Sequence, residues 1–305
     1  MAELSRQDLL KLVKTANVSE GDQRVRRIVD RIVTDLFKAI DDLDISADEF
    51  WRGVAWLTRL GASGQTGLIT AGLGFDRLLD IRADEKDREA GHLEGTPRAI
   101  EGPLYIPDAP ISNGEARLDE TTPLNGALLV MEGRVLDTKG KPLPGAVVDV
   151  WHCNENGRYS HFDPAQKDFN LRRRIRVDGA GRYRFRSFLP PGYCIPPDSP
   201  TSELFSRLGR HGHRPAHIHF LVSAPGARTL TTQINIPGDS YIDDDFAFAT
   251  RDGLIVKLES VANSSGYDSL NVKGPFTRIQ FDFELPPAAA AAEQGHIGRD
   301  ARARA

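Results

Sequence analysis

Arg172 to Phe188 reads RRRIRVDGAGRYRFRSF. Apolar residues alternate with arginines on both sides of Asp178-Gly179-Ala180-Gly181. Alternation at period two marks a strand with one buried face. Two such runs flanking a glycine-containing turn predict a β-hairpin. Ile175 and Val177 would face the core from the first run, and Tyr183 and Phe185 from the second. The interleaved Arg174, Arg176, Arg182, Arg184 and Arg186 then read as the solvated face of an antiparallel pair rather than a polyanion site.

Strand signals extend outward from this stretch. ALLVMEGRVLD (127–137) and AVVDVWH (146–152) alternate similarly and are joined through TKGKPLPG. FTRIQFDFEL (276–285) sets Ile279, Phe281, Phe283 and Leu285 against Arg278, Gln280, Asp282 and Glu284. The first hundred residues have period 3.6 instead. Val25, Ile28, Val29, Ile32, Val33, Leu36, Phe37 and Ile40 form an apolar stripe that is expected to be a buried helical face. Ser46 and Glu49 form a capping box that starts a helix near Ala47. GASGQTG interrupts the pattern, which resumes in LITAGLGFDRLLDIRADEKD.

The expected fold is α+β and mainly β. A helical N-terminal linker or dimerisation region spans 1–98, an antiparallel β-sandwich spans 99–286, and a disordered tail spans 287–305.

Thirty-nine Lys and Arg stand against 43 Asp and Glu, a net charge of -4. This balance lacks the basic footprint of a nucleic-acid binder. The start, MAELSRQDLLKLVK, has no uninterrupted apolar core and does not read as a signal peptide. No apolar run approaches the length of a membrane span. Cys153 and Cys194 are not spaced as a zinc or redox motif and read as free thiols. The expected location is the cytoplasm.

HRPAHIHF (213–220) carries the chemistry. In a strand His217 and His219 point one way, while Ile218 and Phe220 point to the opposite face. Pro215 keeps Arg214 out of helical geometry. An HxH pair can be two polar residues on a solvated face or half of a metal site, and by itself does not choose between zinc, copper and iron. Tyr159 follows the turn NENGR, and Tyr193 sits in LPPGYCIPP, where prolines restrict the backbone. Either tyrosine alone could be a packing residue.

The run VDVWHCNENGRYSHFDPAQKDFNLRRRIRVDGAGRYRFRSFLPPGYCIPP (148–197), followed by LGRHGHRPAHIHFLVSAPGARTLTTQIN (208–235), resembles the intradiol ring-cleavage dioxygenases, nearest their catechol-cleaving members. IEGPLYIPDAP, DDDFAFATRDGL and the helical front extend the resemblance over nearly the whole chain. It implies that Tyr159, Tyr193, His217 and His219 bind one Fe(3+) per subunit. Tyr159 and His217 would be equatorial, and Tyr193 and His219 axial. Ferric iron, a hard cation, suits two phenolates, whereas zinc rarely takes them. The implied reaction inserts both atoms of O2 into catechol between the hydroxyl-bearing carbons, giving cis,cis-muconate. Tyr193 would leave the metal as substrate arrives and accept one of its protons.

The resemblance further implies that Arg214 stabilises charge on the activated ring and that Gln233 is an amide beside the site. The pocket wall would be Leu73, Ile100, Pro103, Leu104, Phe246 and Ala247. That pocket should be flat and apolar, with oxygen acceptors only at the iron. No basic socket for a substrate carboxylate is evident, which disfavours protocatechuate. Chlorocatechol or hydroxyquinol remain alternative main substrates. A β-sandwich binding module without metal and a zinc or copper HxH enzyme are the competing classes; the module would be expected to lack one of the four ligands, and all four are present. His152, His161, His211 and His213 read as hydrogen-bonded or solvent-facing, with His161 a possible support of the Tyr159 loop. The resemblance also implies a homodimer through the helices, with an apolar tunnel able to hold a phospholipid.

Overall fold

A computed structural model describes residues 4–16, 21–92, 95–120 and 126–288. Two compact units divide at Ser63 and Gly64. The first contains helices α1 (Arg6–Thr15), α2 (Gln23–Asp42) and α3 (Ala47–Ala62). Side chains supply their N-caps. Ser5 accepts from Asp8 N, Asp22 accepts from Arg24 N and Val25 N, and Ser46 and Glu49 complete the capping box of α3. These contacts satisfy amides that the first turn leaves without partners.

The expected burial of the α2 stripe does not occur within the chain. Val25, Ile28, Val29, Ile32 and Leu36 are exposed, and no residue of α2 is fully buried. Periodicity establishes that a helix has an apolar face but does not identify what covers it.

The second unit holds α4 (Thr66–Gly72), α5 (Phe75–Glu89) and α6 (Pro200–Arg207). Gly74 separates the first two in a left-handed conformation at φ 80°, which suits a residue without Cβ. The strands are β1 (Ile111–Asn113), β2 (Glu115–Arg117), β3 (Leu128–Asp137), β4 (Val147–Trp151), β5 (Arg172–Arg176), β6 (Arg182–Phe188) and β7 (Tyr193–Cys194). After them come β8 (His213–Arg214), β9 (His217–Ser223), β10 (Leu230–Asn235), β11 (Glu259–Val261), β12 (Phe276–Gln280) and β13 (Phe283–Leu285). One sheet has the order β1-β5-β4-β9-β10, and a second has β11-β12-β3-β6-β2, with β13 also pairing β3. β7 and β8 form a separate ribbon.

The hairpin expected at 172–188 is not one. Asp178 and Gly181 close a turn, but β5 joins one sheet and β6 the other. β6 pairs antiparallel with β3 from Arg182 to Phe188, while β5 pairs antiparallel with β4. Both long ladders win over the local pairing. The face assignment survives: Ile175, Val177, Tyr183 and Phe185 enter one core with Met131, Val148, Ile218, Phe220 and Ile279. The turn therefore carries the chain from one side of that core to the other.

Two arginines depart from the solvated reading. Arg172 and Arg186 are buried. Arg186 pairs with Asp119 at 2.9 Å, and Arg172 donates through Nε to Ser160 Oγ at 2.9 Å. Wholly antiparallel sheets were also expected, but both are mixed. β1–β5, β2–β6, β12–β3 and β13–β3 run parallel. These partners are far apart in sequence, where local turn signals carry no information.

FTRIQFDFEL is broken rather than continuous. Phe281 N donates to Glu132 O, and Asp282 Oδ1 accepts from Arg134 N. A Cβ at Gly133 would lie 1.7 Å from Phe281 O, so β3 needs glycine where β12 gives way to β13. Cys153 is buried, Cys194 is exposed, and both are free. Among the described residues no helix is long and apolar enough to cross a membrane. Beyond Ala288 the expected tail lies outside the described residues.

Candidate metal centre

His217 and His219 stand on β9 with Ile218 between them in the core. β9 pairs with β4 on one side and β10 on the other. Trp151 lies opposite His219 on β4, and Gln233 opposite it on β10. Arg172 of β5 continues this row beyond Trp151. One face of the sheet therefore presents Arg172, Trp151, His219 and Gln233 in line.

Two loops bring in the tyrosines. Tyr159 follows β4 in a turn where Asn154 Oδ1 accepts from Asn156 N and Arg158 N. Gly157, at φ 73°, approaches Tyr193 so closely that a Cβ would lie 2.5 Å from Tyr193 Cβ. Tyr193 lies opposite Arg214 in the β7–β8 ribbon. His161 accepts from Phe169 N at 3.0 Å, bracing the Tyr159 loop. His152 is buried against Ser187, His211 lies 3.0 Å from Asp244, and His213 stacks on Tyr241.

Four side chains meet. His217 Nε2 lies 3.1 Å from His219 Nε2 and 3.5 Å from Tyr159 Oη. The Tyr193 ring centroid is 5.4 Å from that of His217 and 5.6 Å from that of Tyr159. Pro215 O, 2.6 Å from His217 Nδ1, holds the ring proton there and leaves Nε2 as a lone-pair donor. His219 Nδ1 is buried without a hydrogen-bond partner.

The electrostatics match this arrangement. Burial, then Arg214, push His217 down to about 3. Burial, His217 and Arg214 take His219 well below its usual range. Both imidazoles are therefore neutral at physiological pH, as metal ligation requires. Burial raises Tyr159 well above an ordinary phenol, and Tyr193 reinforces the shift. Burial also raises Tyr193, while Arg214 opposes it. Buried neutral phenols beside two converging neutral imidazoles form a donor set that a hard cation would ionise and hold. Among the described residues no three His, Cys, Asp or Glu side chains form a metal site; here tyrosines supply half of the donors.

A cavity of about 580 Å³ opens beside these groups. Ile100, Pro103, Leu104, Phe246 and Ala247 line it with Tyr159, Tyr193, Arg214 and His219. Leu73 is absent from the lining and partly exposed. Leu68 and Ala71 of α4 take the expected place, because the α4 face that meets the cavity is offset from Leu73. The wall is also less uniformly apolar than expected: Glu101, Arg158 and Asp163 reach it.

Arg214 is buried and meets Asp245 through Nε to Oδ1 and Nη2 to Oδ2, both at 3.1 Å. Its Nη2 also donates to Gln233 Oε1 at 2.9 Å, and its Nη1 lies 3.1 Å from His217 Nε2. Gln233 thus reaches the site through Arg214. Burial alone would lower the guanidinium pKa, but Asp245 outweighs it and keeps the cation charged. Local sequence patterns do not by themselves mark Trp151 or Asp245 as neighbours of the site, and they place Arg172 in a solvated cluster. Strand alternation in VDVWH could have put Trp151 on the histidine face. Nothing in DDDFAFAT separates Asp245 from Asp243 and Asp244.

Comparison with known proteins gives a consistent result. The family profile described as "Dioxygenase" matches residues 100–287, and "Catechol dioxygenase N terminus" matches residues 22–91. A catechol 1,2-dioxygenase of Acinetobacter baylyi is 50% identical over 281 residues, covering 92% of this chain and 90% of that protein. The crystal structure of catechol 1,2-dioxygenase from Pseudomonas arvilla C-1 superposes with a TM-score of 0.90 at 48% identity, covering 96% of this chain and 95% of the other. A hydroxyquinol 1,2-dioxygenase of a Rhizobium species is 33% identical, covering 87% of this chain and 90% of its own.

Proposed function

The chain belongs to the intradiol dioxygenase family, and on that premise we propose that it cleaves catechol between its two hydroxyl-bearing carbons. Both atoms of O2 enter the product, cis,cis-muconate. The observation that carries this reading is the meeting of Tyr159, Tyr193, His217 and His219 beside one largely apolar cavity with room for an aromatic ring. Catechol is favoured over hydroxyquinol by the higher identity to the catechol-cleaving relatives.

Tyr159, Tyr193, His217 and His219 would hold one ferric ion per subunit. Bound there, iron supplies a Lewis-acidic centre for the two catechol oxygens and a route for ring electron density to dioxygen. The protein's own groups do the rest. Tyr193 Oη would serve as the base that holds one proton of the incoming diol. The Arg214 guanidinium stabilises negative charge that develops on the ring. Gln233 orients Arg214 Nη2. Ile100, Pro103, Leu104, Phe246 and Ala247 exclude water and hold the ring in register.

Further elements of the reading rest on resemblance and on supporting features. Residues 99–286 form the catalytic unit, read as a β-sandwich because two sheets contribute to one core; residues 1–98 form a linker and dimerisation region. The exposed stripe of α2 supports a homodimer and an apolar site for phospholipid. The protein works in the cytoplasm.

Colour and binding test this function together. Iron-loaded protein should be red from phenolate-to-ferric charge transfer, and anaerobic catechol should shift the band. Colourless protein retaining stoichiometric zinc would overturn the assignment.

A further inference from the structure

Asp245 is an acidic side chain buried beside the site, and its carboxylate accepts hydrogen bonds from two directions. It accepts from Arg214 Nε and Nη2 at 3.1 Å each, and from the backbone amides of Ala247 at 3.0 Å and Ala249 at 3.1 Å. The first pair is a two-point contact with a planar fork, which fixes the guanidinium plane as well as its location. The second pair fixes the loop carrying Phe246 and Ala247, both of which line the cavity. Phe246 N also donates to His213 O, tying this loop to the strand that bears Arg214.

We infer that Asp245 is a positioning residue that sets Arg214 and the Phe246–Ala247 wall in a fixed relation to each other. This inference rests on the proposed catechol cleavage. A ring seated against Phe246 and Ala247 then meets the guanidinium at a distance determined by one carboxylate. The edge of Arg214 away from Asp245 remains directed at His217, with Nη1 3.1 Å from its Nε2. Losing the carboxylate would leave a buried cation with single-point contacts to Gln233 and His217 in place of the planar two-point pair. Asp245 itself does not line the cavity, so its effect on the reaction passes through Arg214 and the wall.

The test compares the parent with Asp245→Asn, Asp245→Glu, Arg214→Gln and the Asp245→Asn/Arg214→Gln double variant. Turnover of catechol is measured per bound iron, and metal-free Asp245→Asn is crystallised. Asn keeps an acceptor for the backbone amides but removes the charge. Glu keeps the charge but displaces it, giving a second probe if Asn folds poorly. A misplacement on the order of 1 Å can cost about 100-fold. Both single Asp245 variants should therefore lose about 10- to 100-fold in kcat, with a smaller change in KM. The double variant should be no slower than Arg214→Gln, because the two residues act as one unit. In the crystal, the Arg214 guanidinium plane should be turned from the direction it holds against Asp245 in the parent.

Folded Asp245→Asn or Asp245→Glu with kcat per iron within about two-fold of the parent would overturn the inference. Losses that multiply in the double variant would do the same, since they would show Asp245 acting independently of Arg214. A parent that binds iron but leaves catechol intact would remove the functional reading first, and the inference with it.

Discussion

The indole of Trp151 lies flat on the imidazole of His219, with ring centroids 4.9 Å apart and planes 5° from parallel. The two residues face each other across the β4–β9 ladder, so the sheet register sets the stack. Tyr105 packs on the indole's other surroundings at 4.9 Å and donates through its hydroxyl to Asp149 Oδ2 at 2.9 Å. The His219 imidazole, a proposed iron ligand, is thus held in orientation by neighbours outside the proposed ligand set. Outer groups of this kind typically contribute about 10- to 100-fold in metal affinity. Trp151→Leu should therefore fold but release iron about 10-fold or more readily in chelator competition. Iron retention equal to the parent's would count against the stack as the orienting element.

Gly157 controls the other side of the site. Any side chain there meets Tyr193 and must also adopt φ 73°. A left-handed conformation costs a residue with Cβ about 1 kcal/mol, and the added Cβ would also push on the Tyr193 ring. Gly157→Ala should remain folded, with a modest fall in melting temperature, while its long-wavelength absorption weakens or shifts. An unchanged visible spectrum would show that Tyr193 is not constrained by this contact.

Asp149 gives a prediction about pH. It is buried, and burial raises its pKa to about 7 despite the Tyr105 hydrogen bond and the fields of Arg172 and Arg174; Asp108 pushes it in the same direction as burial. The folded chain therefore keeps a proton that the unfolded chain releases near pH 4. Between about pH 4 and pH 7 the unfolded state binds fewer protons, so this group's contribution to stability falls as pH rises. Above pH 7 the burial penalty is fully present, on the order of a few kcal/mol. Asp149→Asn should flatten that slope in denaturant titrations of metal-free protein and gain most, relative to the parent, above pH 7. Equal slopes in both proteins would contradict an elevated Asp149 pKa.

The apolar stripe of α2 predicts association. Val25, Ile28, Val29, Ile32 and Leu36 are exposed along one helix. Light scattering should give a dimer mass for the parent at micromolar concentration, and Ile32→Glu should shift it toward monomer. A strictly monomeric parent would refute the dimer.

Much of the site was legible because strand parity is short-range information. Placing His217 and His219 opposite Ile218 and Phe220 requires only the period of a strand. The capping box at Ser46 and Glu49 is equally local. The pairing of β5 and β6 was not legible, since the choice between a hairpin and two sheets depends on β3 and β4 competing for the same edges. Buried Arg172 was hidden for the same reason: its partner Ser160 belongs to a loop folded back over the strand. Leu73 missed the cavity because helix phase across the Gly72–Gly74 break could not be carried from the flanking sequence. Asp245 required the tertiary contact itself, since three consecutive aspartates have no distinguishing pattern.

Isotope-labelled dioxygen tests the central claim most directly. Iron-loaded protein is given catechol under heavy-oxygen gas, and the product is identified by mass spectrometry. The account predicts cis,cis-muconate with one labelled oxygen in each carboxylate. A semialdehyde from cleavage outside the diol, or unchanged catechol from protein fully loaded with iron, would contradict it.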